Sequence, residues 1–248
     1  MDKKERLKFF DKELSLIRDT NVKKLTKECL KSADDWFFTE PASSSGKYHP
    51  DFALEVHGLA YHTKAVVYFL CEIIRSGLYD IDEFHQDLLI LSAICHDIKK
   101  YGDNNVGHTL KNHPELGSSF VENVNKENKN ILSKKDLKYV QECIKKHMGI
   151  FGDDVPKTDD EKILHLADLI ASRREISLEF EKTSNKSTMK IIDEYIVDFG
   201  KYSGKNIKEV PIDYLKWAVE NIKDKYLFIS LAKEILKEHK KNESNKQN

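Results

Sequence analysis

The chain has 248 residues, 33% of them charged, yet 41 basic side chains nearly cancel 42 acidic ones and leave a formal net charge of −1. That balance excludes a global polyanion-binding surface, which needs a clear basic excess. The length suffices for one large domain with a small appendage and a substantial core. No run approaches a membrane span and MDKKERLKFFDKE holds no apolar signal region, so the expectation is a soluble cytoplasmic protein with no membrane partner.

Periodicity along the chain is helical far more often than alternating. Helices are expected over 5–18 and 20–38, the second ending in DDWFF. TEPASSSGKYHPDF (39–52) carries two prolines and reads as a loop, to which Lys47, Tyr48 and His49 give phosphate-binding potential. HGLAYHTKAVVYFLCEIIRSG (57–77) is a strong helix stopped by Gly77; its i, i+4, i+7, i+11 row of His62, Val66, Phe69 and Ile73 puts His62 on the buried face. The apolar helix 84–98 ends in CHDIKKYG, with His96 and Asp97 side by side. A loop (101–112) follows, and His113-Pro114 opens the next helix with proline in its first turn.

The segment 133–149 opens on an S-x-x-D cap and lines its inner face with Leu137, Val140 and Ile144, with His147 three residues on. The segment 158–176 opens on a Thr158–Glu161 capping box and carries Leu164, Ala167 and Ala171 on one face, joined by Asp168. TSNKST then reads as a linker. Residues 196–222 offer two short strand-like pieces around Ser203-Gly204 and a helix from about Asp213, and the polar tail beyond Lys240 reads as disordered.

Cys29, Cys71, Cys95 and Cys143 form no C-x-x-C pair and sit in apolar or helical contexts, as buried reduced thiols do. His62, His96-Asp97, His113, His147 and Asp168 are different. One inward histidine is ordinarily a hydrogen-bonded core residue, but several buried polar groups on separate helices satisfy one another only by converging. Converging imidazoles and carboxylates make a metal site, and a donor set without thiolate suits manganese, iron, nickel, cobalt, zinc or magnesium.

The order His…His-Asp…Asp, with GLAYHT and CHDIKKYG, resembles the HD superfamily of metal-dependent phosphohydrolases over about residues 36–180. The resemblance implies that His62, His96, Asp97 and Asp168 ligate a first ion. His113 and His147 match the extra histidines of the dinuclear branch, which gives two divalent ions with Asp97 between them. Lys100 matches the family lysine, a contact for substrate phosphate or leaving oxygen, and Asp97 and Lys100 are the catalytic candidates. Lys99 stands where the family has glycine, so a glycine-only backbone there would be disfavoured.

Arg173 and Arg174 follow Asp168 by little more than a turn, and Arg173 and Lys47 are candidates for substrate phosphate. His49 and His108 sit in loops where they could touch substrate, and read first as ordinary surface histidines; His85 and His239 read as surface residues, and His57 occupies a spot where the family often has glycine. The lead-in FFTEPASSSGKYHPDF also resembles HD-type bacterial 3′-to-5′ exoribonucleases. IVDFGKYSGKNIKEVPIDYLKW (196–217) resembles a small module found behind the exonuclease domain of some DNA exonucleases.

The expected fold is mainly α: an HD helical bundle over 1–183, a small α+β module over 184–241 and a disordered tail over 242–248. The expected function is metal-dependent hydrolysis of a phosphate ester in a nucleotide-type substrate. The alternatives are a 3′-to-5′ exonuclease or phosphodiesterase on short single-stranded nucleic acid, and a non-catalytic nucleotide sensor.

Overall fold

The computed structural model describes residues 1–43, 46–180 and 185–246. Two helices, α1 (Lys3–Phe9) and α2 (Asp11–Leu16), replace the one expected over 5–18, because the chain breaks at Phe10 to bury its ring against Phe37 and Phe38. α3 (Thr20–Ser32) starts where the Asp19 carboxylate accepts from the Asn21 and Val22 N–H groups. It stops short of 38, and Asp35–Phe38 form a 3-10 turn that buries Trp36, Phe37 and Phe38. Three consecutive aromatic residues would point in directions about 100° apart on an α-helix, and one would face water.

The bundle proper is α4 (Gly58–Arg75), α5 (Glu83–Cys95), α6 (His113–Glu127), α7 (Lys134–Lys146) and α8 (Asp159–Ala171). α5 is its axis. Every residue from Asp87 to Cys95 is buried, as a helix apolar on all sides requires, with α4, α7 and α8 against it. Leu59, Leu70, Leu88, Leu89 and Leu91 are among its fully buried side chains, each worth about 1.5–3 kcal/mol. α4 begins in close quarters: a Cβ on Gly58 would stand 2.3 Å from the Ala53 carbonyl oxygen. The residue before it, His57, has φ +67°, the left-handed conformation that glycine takes most readily.

Three helices follow: α9 (Asn185–Glu194), α10 (Ile212–Asn221) and α11 (Tyr226–Lys246). Here the α+β expectation is corrected. Among the described residues there is no sheet, only one isolated antiparallel bridge between Ile196 and Asn206. The strand-like pieces are too short to build a ladder, because Gly200 and Gly204, at φ +62° and +82°, fold the chain back within a few residues. Gly200–Tyr202 and Ile207–Glu209 are 3-10 turns. α9 occupies the expected linker from Asn185 onward, its Thr183 and Ser184 lying outside the described residues, and α11 continues to Lys246 through much of the segment expected to be disordered.

These helices share a second core of Val197, Ile207, Leu215, Phe228 and Leu231. Val56, just ahead of α4, belongs to this second core, and its N–H donates to Ser230 Oγ at 3.0 Å. The C-terminal helices therefore pack at the approach to the first helix of the bundle.

Candidate metal centre

Side chains from five helices or helix ends meet in the middle of the bundle. His62 comes from α4, His113 opens α6, His147 closes α7 and Asp168 lies in the last turn of α8. His96 and Asp97 follow α5, where the chain tightens into i→i+3 bonds (Ile98 N–H to Cys95, Lys100 N–H to Asp97). The four histidines and Asp97 are all buried, and the Asp168 side chain is nearly so.

The Asp97 carboxylate divides the cluster. Its Oδ2 faces His96 Nε2 at 3.4 Å, His62 Nε2 at 3.7 Å and Lys100 Nζ at 2.6 Å. Its Oδ1 faces His113 Nε2 at 3.0 Å and His147 Nε2 at 3.6 Å. Asp168 Oδ1 completes the first group, 3.0 Å from His62 Nε2 and 3.8 Å from His96 Nε2. One carboxylate thus presents a different oxygen to each of two sets of imidazoles.

Backbone contacts fix the tautomers. His96, His113 and His147 each place Nδ1 2.7 Å from a carbonyl three residues earlier, of Ala93, Leu110 and Ile144. A carbonyl only accepts, so Nδ1 carries the proton and the neutral ring turns an Nε2 lone pair inward. His113 Nε2 and His147 Nε2 are 3.1 Å apart, two lone pairs that repel unless a cation lies against them. His62 Nε2, His96 Nε2 and Asp97 Oδ1 are likewise buried without a hydrogen-bond partner. Orphaned inward donors of this kind fit divalent metal, and two overlapping groups, His62/His96/Asp168 and His96/Asp97/His147, are close enough to hold an ion.

The electrostatics agree with that role. Burial acts to raise Asp97, but the Lys100 ammonium and His96 hold it well below the ordinary carboxylate value. Burial also opposes ionisation of Asp168, and its contact with His62, together with the nearby His96 and His147, lowers it. Burial depresses His62 and His147, keeping those rings neutral. His96 goes the other way: burial lowers it, but the Asp97 and Asp168 carboxylates and the Ala93 carbonyl together raise it.

The remaining sequence candidates fall out as follows. Lys100 reaches the cluster directly through Asp97. Lys99 is not in the left-handed region, so the missing glycine carries no strain; its ammonium pairs with Asp34 and Asp103, each at 2.7 Å, and covers the Phe120 ring. α8 ends at Ala171 rather than 176, which leaves Arg173 and Arg174 exposed beyond the helix, and Arg173 makes no ion pair among the described residues. Lys47 is exposed with its ammonium over the Tyr48 ring, two residues from His49.

His49 differs from the surface residue expected. Its ring stands 5.1 Å from that of His62, its Nε2 lies 3.5 Å from Ser172 Oγ and its Nδ1 is buried without a partner. Burial, with the nearby Lys100 charge, pushes it down to about 2, so it is a neutral ring at the edge of the centre. His165, which the sequence reading passed over, donates from Nδ1 to the His147 carbonyl at 2.7 Å and steadies the end of α7. Gly149 serves this contact as well as ending the helix: a Cβ there would lie 2.4 Å from the His165 ring.

A buried histidine–aspartate cluster inside a helical bundle could hold a divalent ion, and hydrolases use such donor sets. Residues 59–173 match the family model of the HD domain, a span that holds His62, His96, Asp97, His113, His147 and Asp168, and the match supports the HD superfamily. HD domains bind divalent metals and are typically metal-dependent hydrolases. No curated protein and no solved structure shows significant similarity to the chain. No helix among the described residues is long and apolar enough to cross a membrane.

Proposed function

We propose that the protein hydrolyses a phosphate ester bond of a nucleotide-type substrate, with His62, His96, Asp97 and Asp168 holding one divalent ion and His113 and His147 joining Asp97 around a second. The observation that carries this reading is the division of Asp97, with Oδ1 turned to His113 and His147 and Oδ2 to His62 and His96. A divalent ion bound here supplies hydroxide near neutral pH and draws charge from a phosphoryl oxygen. The chain does the rest. The carbonyls of Ala93, Leu110 and Ile144 hold three rings in the ligating tautomer, and the depressed carboxylates stay charged. Lys100 adds a positive charge against Asp97, which supports its role as the contact for a substrate phosphate or leaving oxygen. Arg173 and Lys47, both exposed, serve as outer phosphate contacts.

A non-catalytic sensor gives no reason to keep the whole set of inward donors. A 3′-to-5′ exonuclease or phosphodiesterase acting on single strands is the second reading, favoured by the exposed indole of Trp217 on α10. The test is a hydrolysis screen with manganese-loaded protein against bis-p-nitrophenyl phosphate, nucleotides and short oligonucleotides. Turnover abolished by chelation and by Asp97→Ala is the expected result; metal-loaded protein that cleaves none of them overturns the proposal.

A further inference from the structure

Phe199, Tyr202 and Tyr214 pack partly buried against the C-terminal core, but Trp217 does not follow them and remains 51% exposed. The rings are continuous. Tyr202 and Tyr214 meet at 4.7 Å between centroids, and Tyr214 and Trp217, one turn apart on α10, at 5.3 Å and a shallow 38°. The glycine turns at 200 and 204 bring two cations to the other end of the series, with Lys201 Nζ 5.4 Å and Lys205 Nζ 6.0 Å from the Tyr202 centroid. Both lysines are exposed, and neither makes an ion pair among the described residues. The neighbouring Lys216 is already held by Asp213 at 3.3 Å.

A run of rings ending in an open indole, with unneutralised ammonium groups alongside, matches a partner that is planar and anionic at once. A duplex offers phosphates but no open base faces, and an apolar peptide has no use for the lysines. The geometry points to the Tyr202–Tyr214–Trp217 series, with Lys201 and Lys205, as a binding surface for single-stranded nucleic acid. Bases stack on the indole and phosphates meet the two ammonium groups. This deepens the phosphohydrolase reading by selecting a strand rather than a free nucleotide as substrate, and it rests on that reading for this consequence alone.

Trp36, the other tryptophan, is 7% exposed, so quenching of indole emission reports Trp217. The full chain is titrated with oligothymidylate of about eight nucleotides, within the ordinary site size, in EDTA so that nothing is cleaved. Saturable quenching is expected, with little from a duplex of equal length. Anisotropy of a labelled strand should show Trp217→Leu weakening binding about tenfold. Lys201→Ala with Lys205→Ala should weaken it too and flatten the slope of log K against log salt by about 1.4. All three side chains are exposed, so these variants test binding rather than folding. Absence of quenching, equal binding of duplex, or affinity untouched by both variants overturns the proposal. Strand binding without metal-dependent hydrolysis would refute the hydrolase and spare this surface; hydrolysis of free nucleotides without strand binding would do the reverse.

Discussion

Glu40 lies between the bundle and the C-terminal helices, where it lines a cleft of about 320 Å³ with Tyr101, Asn105, Tyr195 and Asp198. Burial lifts its carboxyl to about 7; the Asn105 amide, donating to Oε1 at 3.1 Å, works against that, and the Asp198 charge adds to it. Against an ordinary value near 4.5, the fold disfavours the ionised form by about 3 kcal/mol. The folded state therefore keeps a proton that the unfolded chain has already released, and stability falls as pH rises from about 4.5 through about 7, then levels. Glu40→Gln keeps an oxygen for Asn105 and removes the charge. It should exceed the wild type by only about 1 kcal/mol near pH 5 and by about 3 kcal/mol at pH 8. Urea denaturation of both proteins at both pH values, with chelator present, gives the difference, in which every other titrating group cancels. A constant difference across that range, or a wild type more stable than the variant at pH 8, refutes the reasoning.

Three further outcomes follow from the geometry. Gly58→Ala forces a methyl to within 2.3 Å of the Ala53 carbonyl oxygen and should cost about 1–3 kcal/mol, read as a lowered thermal midpoint. Lys100→Ala removes the ammonium that lies 2.6 Å from Asp97; it should lower kcat about 100-fold, with metal content retained by elemental analysis. His113→Ala and His147→Ala should each reduce metal from two ions per chain to one; two ions kept in both would refute the role of these histidines in holding the second ion.

The convergence of the histidines and aspartates was legible because these residues lie on helices or at helix ends. The 3.6-residue period places His62, His147 and Asp168 inward, and proline in the first turn marks the opening at His113. Loops carry no such period. The position of His49 against the His62 ring and Ser172 is set by contacts distant in sequence, and nothing local in KYHP records it. The two family-glycine positions show the same limit from opposite sides. His57 adopts the left-handed backbone at φ +67° despite its side chain, while Lys99 avoids that region. The strand pattern over 196–206 misled because alternation describes which side chains face inward, not whether a neighbouring strand exists to pair with. Two glycine turns left room for one bridge only.

The most direct test of the metal centre is elemental analysis of the purified full chain beside Asp97→Ala. Two divalent ions per chain in the wild type, lost in the variant, are predicted, because Asp97 alone faces both sets of histidines. Protein that holds no stoichiometric metal after manganese or iron is supplied would contradict the account and reduce the buried histidines to a packing arrangement.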